Sequence, residues 1–326
     1  MKVLRSTDSW RALLEIGRQG SAGAAAGRLG LDPSALSRMI RQMEKELGFE
    51  LLDRSRKPAV LSARARLLLP YAREFLRAGE QLLQAARSEG RSGGECSRRL
   101  RISIPTNAGR TVFYSFLMRF EDTHPGLRLE ICADVGSQGL LEGRADLAFL
   151  GYTPQDAALA ALPAAPSVTM LLASRGYVAG HGAPARIEEL SDRTVLLRSS
   201  SNPSFSTRLE KGPKTYYLAP GQDCRQGDAV FCREALLAGR GIAVDVALGM
   251  VEEELSRGEV VPVLPGWHRE PWRNCIAFRA ADAADPLFGE LARLLRQVCD
   301  EAETGLWQHW YRHFGIPVSD VRLPPR

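Results

Sequence analysis

The sequence predicts an α/β protein in three parts: an all-α front with a small wing, one long helix, and a two-lobed α/β body. Three observations lead there. Apolar residues recur at helical spacing through the first 47 positions, punctuated by capping residues and glycines. From Ser62 to Ala86 the chain has no Gly or Pro except Pro70 and Gly79. Beyond residue 99, alternating strand-like segments take turns with helical ones, the order of a parallel sheet with helices on both faces.

Composition sets the outer bounds. The 326 residues are 44% apolar and 25% charged with a net charge of +5, which excludes a wholly disordered chain. Apolar runs such as Leu67–Leu69 are far below the roughly 18 residues of a membrane span. The opening MKVLRSTDSW lacks the apolar stretch of a secretory signal, so a cytoplasmic protein without a membrane partner is expected. The six cysteines, at 96, 132, 224, 232, 275 and 299, form no C-x-x-C pair or zinc-like cluster. Charge is uneven. Residues 1–98 hold 18 basic and 11 acidic side chains, net +7, and the remainder 25 and 27, net −2. Only the front is therefore suited to a polyanion.

In the front, Trp10, Leu13, Leu14 and Gly17 share one helical face. Gly20-Ser21 ends that helix, and Ser21 can cap the short AGAAAGRL helix, which stops at Gly30. Asp32 is a good N-cap and Pro33 suits the first helical position. In the helix that follows, Leu36, Ile40, Met43 and Leu47 form the apolar stripe. Ser34, Arg38, Arg41 and Lys45 take the opposite side, flanked by Ser37. Hydroxyls near the N-terminal end followed by arginines suit a helix entering the major groove of DNA, and the short helix and tight turn before it suit helix-turn-helix geometry. Two short extended pieces then flank a turn carrying Arg54, Arg56 and Lys57, a wing able to reach phosphates or the minor groove.

The run GSAGAAAGRLGLDPSALSRMIRQMEKELGFELLDRSRKPAVLS resembles the winged helix-turn-helix of LysR-type transcriptional regulators, closest at Ala35-Leu36-Ser37-Arg38, Ile40, Glu44 and Leu47-Gly48. It departs at Pro33, where many members carry a base-reading polar side chain, at Leu52, where Phe is usual, and at Ser62, where Thr is usual.

Leu68, Tyr71, Phe75, Ala78, Leu82 and Ala85 follow a heptad along the long helix, with Leu69, Leu76 and Leu83 beside them. The resemblance implies that this helix pairs two subunits, with Leu68, Tyr71, Phe75 and Leu82 at the dimer seam. The polar stretch 88–98 reads as a hinge. Its Gly90-Arg91-Ser92-Gly93-Gly94 matches a hydrolase nucleophile elbow only formally, because the strand-before, helix-after context is missing.

In the body, Leu100–Ile104, Leu127–Ile131 and Ala145–Leu150 read as strands. A helix carries Phe113, Phe116, Leu117 and Phe120, and a short one lies near Leu140-Leu141. A second lobe has strands at Val168–Ala173, Thr194–Leu197, Ile242–Val244 and Val260–Leu264, and a helix over Asp228–Ala238. The strand Cys275–Phe278 and a closing helix over Pro286–Ala302 follow. The chain crosses between lobes near 164–168 and again near 266–274. LRISIP, FEDTHPGLRLEI, EGRADLAFL, LLAGRGIAV and LSRGEVVPVLPGW resemble the LysR effector domain, itself similar to periplasmic binding proteins. Departures are the short Val135–Gly139 connection and Asp245, where an apolar residue is common. Ligands of such folds sit between lobes at strand C-termini and helix N-termini. That selects Thr106, Asn107, Asp134 and Gly136 in the first lobe and Arg198, Ser199, Ser200, Ser201 and Asn202 in the second, a set suited to a small anion.

Four parts follow: a DNA-reading module over 1–61, a linker helix over 62–87, the hinge over 88–98 and an effector domain over 99–303. The effector lobes are 99–165 with 273–303, and 166–272. Residues 304–326 form a C-terminal tail outside the family pattern. The resemblance, over residues 1 to about 303, implies a regulator that binds a pseudo-palindromic promoter site on double-stranded DNA and senses a small-molecule effector. It further implies a homodimer, a homotetramer of such dimers, and RNA polymerase as a partner. No catalytic residue, metal or cofactor is expected. Two other readings stand beside it. One is a small-molecule-binding or enzymatic α/β protein that uses its front as an interaction module, and no P-loop, HExxH or metal cluster supports it. The other is a thiol sensor built on Cys224 and Cys232. His309 and His313, an i, i+4 pair among aromatic residues, read as packing, and Gly239-Arg240-Gly241 as a helix-to-strand turn.

Overall fold

A computed structural model describes residues 3–88, 98–107, 110–199, 206–219 and 223–324. They form two compact units, 1–98 and 99–326.

The first unit holds α1 (Thr7–Gln19), α2 (Ala22–Leu29), α3 (Pro33–Leu47), β1 (Leu52–Asp53), β2 (Val60–Leu61) and α4 (Ala63–Ser88). The caps lie where the sequence puts them. Ser21 Oγ accepts the Ala24 amide at 3.3 Å, and Asp32 accepts those of Ser34 and Ala35 at 3.0 and 3.2 Å. Gly48 closes α3 in the left-handed conformation at φ 77°. Leu13, Ile16, Ala25, Ala26, Leu36, Ile40 and Met43 meet Leu51, Leu61 and Ala65 in one core. Burying each of the larger side chains stabilises the module by about 1.5–3 kcal/mol. Gly17 permits the tight approach of α1 to the wing and α4. A Cβ there would lie 3.1 Å from Leu61 Cδ1 and 3.3 Å from Leu69 Cδ1.

The long helix is two-faced. Ala65, Ala72 and Leu76 are buried in this unit, whereas Tyr71 and Leu82 are 69% and 70% exposed, with Leu67, Phe75 and Leu83 also exposed. Leu68, expected at the dimer seam, packs half-buried against the module's own core. Pro70 is the eighth residue of the helix, which continues through it.

The second unit starts with β3 (Arg98–Ser103), α5 (Arg110–Asp122), β4 (Leu127–Cys132), α6 (Ser137–Leu141), β5 (Leu147–Leu150) and β6 (Leu159–Pro163). The second lobe follows with β7 (Leu172–Ser174), α7 (Arg175–His181), β8 (Val195–Arg198), β9 (Arg208–Lys211), β10 (Lys214–Tyr217), β11 (Cys224–Gly227), α8 (Ala229–Leu237), β12 (Ile242–Ala243), α9 (Glu252–Arg257), β13 (Val260–Pro262) and β14 (His268–Arg269). The chain then returns through β15 (Cys275–Arg279) and α10 (Pro286–His313).

The first-lobe sheet has the order β4-β3-β5-β15-β6, and the second β11-β8-β12-β7-β13. Both are mixed, not purely parallel. β3 runs parallel to β5, and β8 parallel to β11 and β12. The returning strand β15 enters from the other lobe and is antiparallel to β5 and β6, and β7 is antiparallel to β12 and β13. A third small antiparallel sheet, β10-β9-β14, was not expected, and its hairpin turns at Lys211-Gly212-Pro213-Lys214. The crossing segments pair at the lobe boundary. Ala164 N donates to Asn274 O at 2.9 Å, and Ser167 and Trp272 exchange amide hydrogen bonds at 3.2 and 3.1 Å.

The closing helix is eleven residues longer than expected and ends at His313. Phe288, Leu291, Leu295 and Cys299 join the first-lobe core with Phe113, Phe149 and Phe278. Trp307, Trp310, Tyr311 and Ile316 join the second-lobe core with Leu236 and Val260. The segment of the C-terminal tail from Trp307 to Ile316 thus contributes to the second-lobe core.

Candidate nucleic-acid interface and effector cleft

On α3, Ser34, Ser37, Arg38, Arg41 and Lys45 are exposed, opposite buried Leu36, Ile40 and Met43. The Ser34 hydroxyl bonds to Asp32, and this bond, the Ala35 and Ser34 amides and nearby Arg38 hold the Asp32 carboxyl below its usual range. Ser21, also expected at the DNA, caps α2 by accepting the Ala24 amide, which leaves its O–H free to donate.

The wing is tied to α3 by an ion pair the sequence reading did not foresee. Arg54 Nη2 and Nη1 donate to Glu44 Oε2 and Oε1 at 2.7 and 3.2 Å. The same Oε1 accepts the Leu51 and Leu52 amides at 2.8 and 3.1 Å. Burial works to raise the Glu44 carboxyl, but the Arg54 guanidinium and the two amides outweigh it and hold it below its ordinary value. Arg54, expected at phosphates or in the minor groove, is exposed and pairs with Glu44. Arg56 and Lys57 remain exposed at the wing tip, with Arg56 Nε 3.6 Å from Asp53 Oδ2.

In the second unit a cleft of about 520 Å³ opens between the lobes, within the usual range for small-molecule sites. It brings together Thr106, Asn107, Asp134 and Gly136 with Arg198 and Ser199. Ser200, Ser201 and Asn202 lie outside the described residues, as do residues 89–97 with the Gly90–Gly94 motif and Cys96. The sequence reading missed Tyr152, Asp228, Asp245, Trp272, Asn274 and Glu303, which also line the cleft. Gly136 makes room for Tyr152, whose Oη would lie 3.1 Å from a Cβ at 136.

Two of the amides expected to receive an anion, those of Thr106 and Ser199, have internal acceptors. Thr106 N donates to Asp134 Oδ1 at 3.3 Å, and Ser199 N to Gly227 O at 2.7 Å. Asp228 caps α8 by accepting Phe231 N at 2.8 Å. Among the described residues the cleft lining carries Arg198 together with Asp134, Asp228, Asp245 and Glu303. Asp245 Oδ2 lies 3.5 Å from Arg198 Nε and 3.6 Å from Arg269 Nε, two guanidinium groups around one carboxylate. Both stack on Trp272, at 4.1 and 3.8 Å from the ring centroid. Burial pushes the Asp245 carboxyl up, against the two guanidinium charges and the Trp272 hydrogen bond. At the lobe boundary, burial likewise raises the Glu303 carboxyl, opposed by its bond to Ser167. The Ser167 hydroxyl also receives Asn274 Nδ2 at 2.8 Å.

Burial raises the Cys224 thiol, and with nearby Asp245 it pushes Cys232 up to about 11, the reverse of what a reactive thiolate needs. His309 and His313 stack with ring centroids 6.3 Å apart, beside Trp310 and Phe314. Among the described residues no group of three His, Cys, Asp or Glu is placed to hold a metal, and no helix is long and apolar enough to cross a membrane.

Residues 7–66 match the family of bacterial regulatory helix-turn-helix proteins, lysR family, and residues 93–300 match the LysR substrate binding domain. The regulator PtxR of Pseudomonas aeruginosa is 28% identical over 257 residues, 78% of this chain and 81% of PtxR. The probable regulator LtrA of Klebsiella pneumoniae is 25% identical over 256 residues, 78% of this chain and 81% of LtrA. Among solved structures, the full-length virulence activator AphB of Vibrio cholerae superposes with a TM-score of 0.54 at 21% identity, covering 90% of this chain and 98% of AphB. CrgA of Neisseria meningitidis gives 0.51 at 22% identity, covering 89% and 98%. Those two likenesses are of fold; the family matches span both units of the chain. The chain belongs to the LysR-type transcriptional regulators, ligand-responsive proteins that join a DNA-binding helix-turn-helix to an effector-binding domain.

Proposed function

We propose that the exposed face of α3 reads a pseudo-palindromic promoter site, and that an anionic group of the effector meets Arg198 in the cleft. The observation that carries the first part is the α3 face itself, with Ser34, Ser37, Arg38, Arg41 and Lys45 exposed opposite a buried stripe. Such a face can lie in the major groove while Arg56 and Lys57 meet phosphates. The exposed stripe of Tyr71, Phe75 and Leu82 along α4 suits pairing with a second copy. A homodimer of this kind spaces two readers for two half-sites, and pairs of dimers make the tetramer. RNA polymerase is the further partner, and the cytoplasm the place of action.

Arg198 supports the second part, as the basic side chain of the cleft lining among the described residues, held beside Asp245 and stacked on Trp272. Asp134 and Asp228 at the same cleft favour an effector that also carries a hydrogen-bond donor.

A salt-titrated binding assay tests the DNA reading. Affinity for the region upstream of the protein's own gene is expected to exceed that for random DNA by about a thousandfold or more. Equal affinities would overturn it. For the cleft, small carboxylates are expected to raise the melting temperature of the wild type and not of Arg198→Met.

A further inference from the structure

The long C-terminal helix carries a property that the cleft and the DNA face leave unused. Its first half belongs to one lobe and its second half to the other. Phe288, Leu291 and Leu295 are buried in the first-lobe core, and Trp307, Trp310 and Tyr311 in the second. Tyr311 Oη also donates to Thr169 O of the second lobe at 3.3 Å. The lobes are thus joined by one continuous helix in addition to the two paired strands.

The helix is fastened to the first crossing strand just before it changes lobes. Asp300 Oδ1 accepts the Ala165 amide at 2.6 Å, and Glu303 bonds to Ser167. Two residues beyond Glu303 stands Gly305, and two further on Trp307 is already buried in the second lobe. Gly305 is exposed, and nothing lies within 4 Å of where its Cβ would be. No close packing requires a glycine there, although glycine weakens a helix interior relative to alanine. A backbone position weakened by glycine therefore coincides with the passage of the helix between lobes.

We propose that α10 is a third crossing between the lobes and yields at Gly305 when the cleft changes width. A stiff helix across a two-strand hinge would resist closure, and a glycine at the boundary lets each half stay packed in its own core while the angle between them changes. Gly289 supplies an internal control. It lies in the same helix, also with open space at its Cβ, but Phe288 and Leu291 on either side pack into one lobe.

The proposal concerns motion without ligand, so its failure is separable from failure of the effector reading. The test uses the full chain with Cys96, Cys132 and Cys224 replaced by Ser and spin labels at positions 155 and 240, exposed sites on opposite lobes. Gly305→Ala is expected to narrow the interlobe distance distribution, and Gly289→Ala to leave it at the width of the parent. Retained folding is checked by melting temperature, which both substitutions should raise. Equal widths in Gly305→Ala and the parent would overturn the proposal, as would equal narrowing by Gly289→Ala.

Discussion

The carboxylate of Asp245 accepts the indole N–H of Trp272 at 2.8 Å, and the same indole ring underlies both guanidinium groups that the carboxylate balances. The two residues act as one fixture. Trp272 orients Asp245, and Asp245 keeps Arg198 and Arg269 from facing each other unscreened in a buried wall.

Removing the carboxylate should therefore damage folding before it damages sensing. Asp245→Ala removes the carboxylate that both guanidinium groups face in the wall and is expected to lower stability by about 3–5 kcal/mol. Asp245→Asn, which can keep the bond to Trp272, is expected to cost less. Urea denaturation of the two variants measures the difference.

The Glu44–Arg54 pair predicts an acid-sensitive front module. The folded Glu44 carboxyl is held below its ordinary 4.5, so its contribution is present above that pH and lost as pH falls through the lowered value. Glu44→Gln is expected to lose about 1–2 kcal/mol at neutral pH, with the gap to wild type closing in acid. Thermal melts across a pH series give the comparison.

Glu303 has the opposite sign. Burial lifts its folded carboxyl above 4.5, so the unfolded chain releases the proton first as pH rises. Stability from this group is full below 4.5 and lost as pH climbs through the raised value. Glu303→Gln cannot titrate, so wild type minus variant should be more favourable at pH 4 than at pH 7.

On DNA, Arg38 and Lys57 should separate by specificity. Arg38→Ala is expected to cost about 1–3 kcal/mol at the cognate site and little on random sequence. Lys57→Ala should weaken both alike and reduce the salt slope by about one. Fluorescence anisotropy at several salt concentrations distinguishes the two outcomes.

The front module was legible because its signals are local. Asp32, Pro33, the Leu36-Ile40-Met43 period and Gly48 all fall within one helix and its two ends. On α4 the neighbouring Leu68 and Leu69 are both half-buried against the module, a packing that the heptad pattern does not show. The cleft was only half legible. Thr106, Asn107 and Arg198 follow from strand ends, whereas Asp245, Trp272, Asn274 and Glu303 come from separate crossings and carry no local period. Asp245 left one trace, a charged residue where the resembling family is apolar. The strands β9 and β10 went unassigned although Gly212-Pro213 marks their turn.

The length of α10 also sets where this protein can be cut. The substrate-binding-domain match stops at residue 300, but Trp307, Trp310, Tyr311 and Ile316 still fill the second-lobe core. A fragment ended at the family boundary would bare the side of Leu236 and Val260 that those aromatic residues cover, and it would be prone to aggregate. A nonsense mutation between residues 300 and 316 would then act as a folding lesion, and soluble fragments of the sensor would have to run past residue 316.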